Sequence, residues 1–225
     1  TSRLPYSGDI DGDNKEETIS TSTDAQGLTV LNVESSGSTA EAATGIKEVS
    51  SIRLFDLDGD GVREIYIDGK DANGQAITCA AFYSAGEAQP LHLALFDSQS
   101  YAHGSIKDFA DGKLVVDSEM NILGTYKVKN VYALADKSFS KASDDIVFDN
   151  NMTYVTTLKS ITLSNGSLLA TGTKLRFTST DGISVINFVT DGGFTGSIPI
   201  ASSGSGWTIS GQPDTSYFTS LPYKN

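Results

Sequence analysis

Two stretches of the chain carry the same acidic pattern in the same register: Asp9-Ile-Asp-Gly-Asp-Asn-Lys-Glu-Glu17 and Asp56-Leu-Asp-Gly-Asp-Gly-Val-Arg-Glu64, offset by 47 residues. Each sets three aspartates at alternate positions and closes on a glutamate. Carboxylates this close in sequence repel one another unless a cation lies between them. Calcium, a hard cation, takes about six to eight oxygen ligands, and acids at positions 1, 3 and 5 of one loop can share it only if the chain turns sharply. Position 6 then needs a positive φ, which glycine tolerates best and asparagine next. The chain has Gly61 there in one stretch and Asn14 in the other. Position 7 contributes its carbonyl, so Lys15 and Val62 are acceptable whatever their side chains. The acid that follows, at position 9, is Glu17 or Glu64.

A helix-flanked calcium loop puts a bidentate glutamate at position 12, where this chain has Ser20 and Ile67. Both stretches instead run into β-type sequence, Thr18-Ile19 and Ile65-Tyr66-Ile67, so strand-to-strand loops are expected. Elsewhere Gly, Ser, Thr, Asn and Asp recur between short β-branched and aromatic runs, the rhythm of an all-β chain. Strands are predicted over 17–21, 27–33, 51–55, 64–67, 76–82, 91–96, 113–116 and 126–133. Only the alanine-rich Thr39–Val49 and Gly104–Phe109 have a composition suited to a short helix. The offset of 47 residues is close to one four-stranded propeller blade, about 40–45 residues. Another unit of that size fits between Phe96 and Ala142, without a matching acidic loop. A closed propeller needs about four blades, so this region is too short to close alone.

The pattern Asp-x-Asp-Gly-Asp-Gly-x-x-Glu leading into a strand, repeated at blade spacing, resembles the FG-GAP or VCBS-type repeats of integrin-like propellers and bacterial surface proteins. The resemblance implies one Ca²⁺ held by Asp9, Asp11, Asp13, the Lys15 carbonyl and Glu17, and another held by Asp56, Asp58, Asp60, the Val62 carbonyl and Glu64. It also implies a partial β-propeller-like repeat region. The chain departs from the family pattern in Asn14 for glycine, in glutamate for the commoner aspartate at position 9, and in the small number of repeats.

Charge divides the chain. Residues 1–150 hold 25 acidic and 12 basic residues, a net of −13, whereas residues 151–225 hold 3 and 4, a net of +1. An acidic surface repels phosphate backbones and anionic lipids, which argues against nucleic-acid and peripheral membrane binding. The fall in charge coincides with the turn residues Asp149-Asn-Asn151, placing a boundary between a repeat domain over 1–149 and a second domain over 152–225. In the second, 172–179, 183–190 and 194–200 read as strands joined by the hairpin signals Thr180-Asp-Gly182 and Asp191-Gly-Gly193. Leu175 and Phe177 fall on one face, with Lys174, Arg176 and Thr178 on the other. This meander resembles bacterial SH3-like domains, and the ending Tyr217-Phe-Thr-Ser-Leu-Pro-Tyr223 is similar to the tail of surface lipoproteins from Gram-positive bacteria, implying a small SH3-like β-barrel.

Catalytic signatures are absent. Cys79, the only cysteine, sits in an apolar run and reads as a buried small residue, so neither an internal disulfide nor a thiolate zinc site is expected. His92 and His103 lack metal-ligand spacing, and Asp144-Asp145 reads as an exposed acidic turn. Trp207, Tyr217, Phe218 and Tyr223 either line a groove for a peptide or glycan or close the end of the barrel, and packing is the favoured reading. No stretch has the length of a membrane span. With no initiator methionine and no signal peptide, the expectation is a mature or trimmed product whose targeting or lipid-anchoring segment is missing. The function expected is a non-enzymatic, calcium-stabilised binding or scaffolding module outside the cell or on a bacterial cell surface, with a cell-wall, glycan or protein ligand. The alternative is an accessory or fragment of a surface polysaccharide hydrolase.

Overall fold

Short alternating runs separated by glycine and aspartate turns become strands throughout the computed structural model, which describes residues 4–149, 154–204 and 206–223. The chain is all-β, 57% strand, with no α-helix and no closed sheet among the described residues. Two compact units emerge, one of residues 1–117 and 131–142 and the other of residues 118–130 and 143–225. The Asp149–Asn151 turn expected as a domain boundary lies partly outside the described residues.

The first unit begins with an antiparallel meander of β1 (Tyr6–Gly8), β2 (Glu17–Thr23), β3 (Thr29–Ser35) and β4 (Ser38–Ala43). A second meander repeats it with β5 (Glu48–Phe55), β6 (Glu64–Lys70), β7 (Ala76–Tyr83) and β8 (Leu91–Leu93). After β9 (Leu95–Phe96), β10 (Ala102–His103) pairs with β7. The repeat extends beyond the acidic stretches, because the β2–β3 turn Asp24-Ala-Gln-Gly27 and the β6–β7 turn Asp71-Ala-Asn-Gly74 are built alike. Asp24 Oδ1 accepts the N–H groups of Gln26 and Leu28 at 2.9 and 2.8 Å, and Asp71 Oδ1 those of Asn73 and Gln75 at 2.8 Å each. These aspartates close the turn by imitating a backbone carbonyl.

Next come β11 (Ser105–Ala110), β12 (Lys113–Asn121), β13 (Thr125–Ala135) and β14 (Ser138–Lys141). β14 pairs with β13 and, in parallel, with β9. The turn end of the β12–β13 hairpin, residues 118–130, belongs to the second unit.

Thr39–Val49, expected as a short helix, is instead β4 and the start of β5, and Gly104–Phe109 leads into β11. Ala40 and Ala42 pair with Val33 and Leu31 of β3, so cross-strand packing at a period of two overrides alanine's helical preference.

Strand β6 is buried on both faces from Glu64 to Gly69. Ile65 and Ile67 enter one apolar cluster with Ile19, Leu31 and Ile52, while Tyr66 enters another with Phe82, Phe96 and Phe139. Within β6, Asp68 is only 4% exposed. Its carboxylate accepts the Thr78 hydroxyl, the Ile106 N–H at 2.9 Å and the Ser51 hydroxyl at 3.2 Å, and faces Arg53 Nη2 at 3.4 Å. This saturation makes a charge tolerable so deep in the sheet.

The second unit adds β15 (Ile146–Phe148), β16 (Val155–Thr157), β17 (Ile161–Thr162), β18 (Leu168–Leu169), β19 (Lys174–Thr180), β20 (Val185–Thr190) and β21 (Thr195–Pro199). β19, β20 and β21 form the expected meander, and β15 and β16 pair with β19. β22 (Ala201–Ser203), β23 (Gly206–Ile209) and β24 (Gln212–Pro213) form a three-stranded sheet, and β25 (Phe218–Thr219) pairs with β16. Leu175 and Phe177 are buried as the alternation predicts, in a core with Phe148, Phe188, Ile198 and Phe218.

β20 starts two residues later than expected because Asp181 claims the preceding backbone. Its Oδ1 accepts the N–H groups of Ile183, Ser184 and Val185 at 2.9, 2.8 and 2.9 Å, and its Oδ2 accepts the Ser184 hydroxyl at 2.6 Å. Burial alone would raise the Asp181 pKa, but these donors outweigh it and hold the carboxyl well below the usual range. A depressed folded pKa gives stability that is complete above the unfolded value, about pH 4, and is lost as pH falls through the folded one. Asp181→Asn should therefore cost about 1 kcal/mol at neutral pH. Urea denaturation curves of the two proteins should converge as pH drops below about 4; a gap that stays constant on acidification would refute this role.

Candidate metal-binding loops

The two acidic stretches are the β1–β2 and β5–β6 connections, both within the first unit. Their backbone N–H to aspartate hydrogen bonds correspond one for one. Asp9 accepts the N–H groups of Gly12 and Asn14 at 2.7 and 3.0 Å, and Asp56 those of Gly59 and Gly61 at 2.7 and 3.1 Å. Asp11 accepts from Asp13 N–H, and Asp58 from Asp60 N–H, at 3.3 Å each. Asp13 accepts from Lys15 N–H, and Asp60 from Val62 N–H, at 2.8 Å each. Asn14 and Gly61 both take the positive φ that position 6 demands, at 64° and 91°.

The closing glutamates are the first residues of β2 and β6, and both point inward. Glu17 is 0% and Glu64 1% exposed. Glu17 accepts Ile10 N–H at 3.0 Å and the Ser35 hydroxyl at 3.1 Å. Glu64 accepts Leu57 N–H at 2.9 Å and the hydroxyl of fully buried Tyr66 at 3.0 Å. Each glutamate thereby ties the second residue of its loop to the strand that follows.

In the second loop Asp56, Asp58, Asp60 and Glu64 each offer an oxygen, and all four oxygens lie within 4.8 Å of one another. Burial pushes Glu64 up to about 7, and the charges of Asp58 and Asp56 add to this against the opposing hydrogen bonds from Leu57 and Tyr66. A buried carboxylate beside further carboxylates is a demand for positive charge. An all-oxygen donor set suits a hard cation and not a thiophilic or imidazole-preferring metal.

The first loop brings only Asp9, Asp11 and Glu17 together within the same distance. Asp13 is held by Lys15, whose Nζ lies 2.8 Å from Asp13 Oδ2. The hydrogen bond from Lys15 lowers the Asp13 pKa, and the same contact raises that of Lys15. Asp11 Oδ2 also accepts Ala85 N–H from the β7–β8 connection at 2.6 Å. The two loops touch: Arg63 N–H donates to the Ile10 carbonyl at 2.8 Å, and a Cβ placed on Gly12 would lie 3.6 Å from the Gly61 carbonyl.

The structure thus gathers seven of the eight acidic residues singled out from sequence and leaves Asp13 in an ion pair. Supporting residues that the sequence pattern did not reveal are Ser35, Tyr66 and Ala85, together with the Lys15 ammonium, which had been assigned only a carbonyl role. His92 stacks on Phe82 at 5.7 Å and His103 meets Tyr101 edge-on, while Asp144 and Asp145 are exposed. Cys79 is buried, its thiol pushed up to about 12 by burial and the nearby Asp68 charge.

Comparison with protein-family models, with curated proteins and with solved structures finds no match to this chain.

Glu64→Ala would leave Leu57 N–H and the Tyr66 hydroxyl unpaired in the interior, and should cost about 2–4 kcal/mol in urea unfolding. Tyr66→Phe, which removes a single hydrogen bond, should cost about 1 kcal/mol. Equal losses in the two variants would mean that the carboxylate does not anchor the loop.

Proposed function

We propose that this chain is a calcium-stabilised, non-catalytic binding or scaffolding module of a bacterial cell surface. Its acidic half is read as a partial propeller-like repeat region and residues 152–225 as an SH3-like domain. The observation that carries the reading is the convergence of Asp56, Asp58, Asp60 and Glu64 on one point beside a strand start. The Val62 carbonyl would complete this ligand set. Asp9, Asp11 and Glu17, with the Lys15 carbonyl, would form a second and weaker site, weaker because Lys15 already occupies Asp13.

A bound ion would supply the positive charge that the clustered carboxylates lack and would hold each loop to its strand. Extracellular calcium modules typically bind at about 10⁻⁴ to 10⁻³ M, so such sites fill outside the cell and stay empty inside it. In this reading the module becomes rigid on export, exposed on the surface or lipid-anchored, where it meets a cell-wall, glycan or protein ligand.

Calcium at about 100 times its dissociation constant should stabilise the fold by about 2.7 kcal/mol, raising the melting temperature until EDTA reverses it. Asp56→Ala should remove one calcium equivalent in isothermal titration, and Lys15→Val should tighten the weaker site by freeing Asp13. A metal-stripped, folded protein that gives no binding heat with millimolar calcium would falsify the proposal.

A further inference from the structure

The second unit contains a cavity of about 200 Å³ that the loop chemistry does not use, lined by Trp207, Pro213, Asp214, Thr215 and Tyr223 along β23, β24 and the turn after them, with Ser203 of β22 at its rim. That volume suits a small headgroup and not a drug-sized ligand or a peptide segment.

The polar groups in this wall determine what it can hold. Trp207 Nε1–H donates to the Asn121 carbonyl at 2.8 Å, and the indole, which also packs against the core cluster, lines the cavity with the rest of its surface. The Tyr223 hydroxyl donates to Asp214 Oδ2, and the Tyr223 pKa is pushed well up by burial and by that bond. The Thr208 and Ser203 hydroxyls donate to the carbonyls of Ala201 and Gly206 at 3.1 Å each. Asp214 is only 4% exposed, and its other oxygen accepts Thr215 N–H at 2.7 Å. Among the described residues no lysine, arginine or histidine lines the cavity.

The wall therefore offers aromatic faces, a proline, oxygen lone pairs, the Thr215 hydroxyl and a deeply set carboxylate whose two oxygens each accept one hydrogen bond, while its indole and phenol donors are engaged within the protein. A sugar needs donors as well as acceptors, and an anion needs donors and positive charge. A cation needs only what is present, since aromatic faces attract it through their quadrupole and a carboxylate attracts it through its charge. We propose that this cavity binds an alkylammonium group, a quaternary or primary amine headgroup, against Trp207 and Tyr223 with Asp214 as its counter-charge. The proposal is independent of metal binding in the acidic loops.

Trp207 is the only tryptophan in the chain, so its emission reports directly on the cavity. The probe is choline chloride titrated into the full chain at constant ionic strength, beside 3,3-dimethyl-1-butanol, its neutral carbon isostere, and beside a neutral glucose oligosaccharide. Choline should change the emission saturably and the neutral probes should not. Asp214→Asn, which keeps shape and removes charge, should weaken binding about tenfold or more. Because Asp214 is buried, Tyr223→Ala serves as the second variant; Tyr223 is 41% exposed near the chain end, and its loss should weaken choline binding without unfolding the protein. Vesicles with phosphocholine headgroups and a trimethyllysine peptide then distinguish a lipid from a protein source of the same cation. No saturable response to choline, an equal response to the neutral isostere, or a response to the oligosaccharide alone would overturn the assignment.

Discussion

A carboxylate buried at the start of a strand is the interaction on which the acidic loops depend. Glu17 and Glu64 sit where β2 and β6 begin, inside the protein, and each holds the backbone of the second loop residue. The strand pairing fixes the strand start, and the glutamate transmits that fixed point to the loop. The loop can then curl only one way, with aspartates 1, 3 and 5 each capping N–H groups of their own turn and position 6 at positive φ. The same anchoring creates the electrostatic demand, because a carboxylate fixed in a poorly hydrated place cannot move away from its neighbours.

The acidic repeat, its register and its strand-to-strand setting were legible in the sequence because each rests on local rules: alternate acids, a glycine or asparagine at position 6, and β-branched residues directly after. The turns Asp24–Gly27 and Asp71–Gly74, which the sequence reading did not single out, lie at the same offset and extend the duplication through the β2–β3 and β6–β7 hairpins. The alanine-rich segment after Thr39 misled, since its strand conformation depends on Val33 and Leu31 across the sheet and not on its own propensity. Tyr66 could not be recognised as support for Glu64 without knowing that β6 is covered on both faces, which sends its hydroxyl back along the same strand. The division of the β12–β13 hairpin between two compact units was likewise invisible, because composition changes only after residue 149.

The two units stabilise polar groups by different means. In the first, a buried acid is either surrounded by donors, as Asp68 is by Thr78, Ser51, Ile106 and Arg53, or gathered with other acids around a point that lacks positive charge. In the second, Asp181 organises one turn on its own, and Asp214 bonds Tyr223 and Thr215 at the edge of an aromatic cavity.

The contrast between the two loops follows from a single side chain. Their backbones correspond bond for bond, yet Lys15 occupies the position held by Val62 and delivers an ammonium to Asp13. One loop therefore carries part of its compensating charge within the chain, whereas no lysine or arginine among the described residues forms an ion pair with the acids of the other. Because the Ile10 carbonyl of the first loop accepts Arg63 N–H of the second, neither backbone can relax its crowded carboxylates without disturbing its neighbour. Duplication has thus placed a partly neutralised loop against an uncompensated one, and the greater demand for an external cation falls on Asp56, Asp58, Asp60 and Glu64.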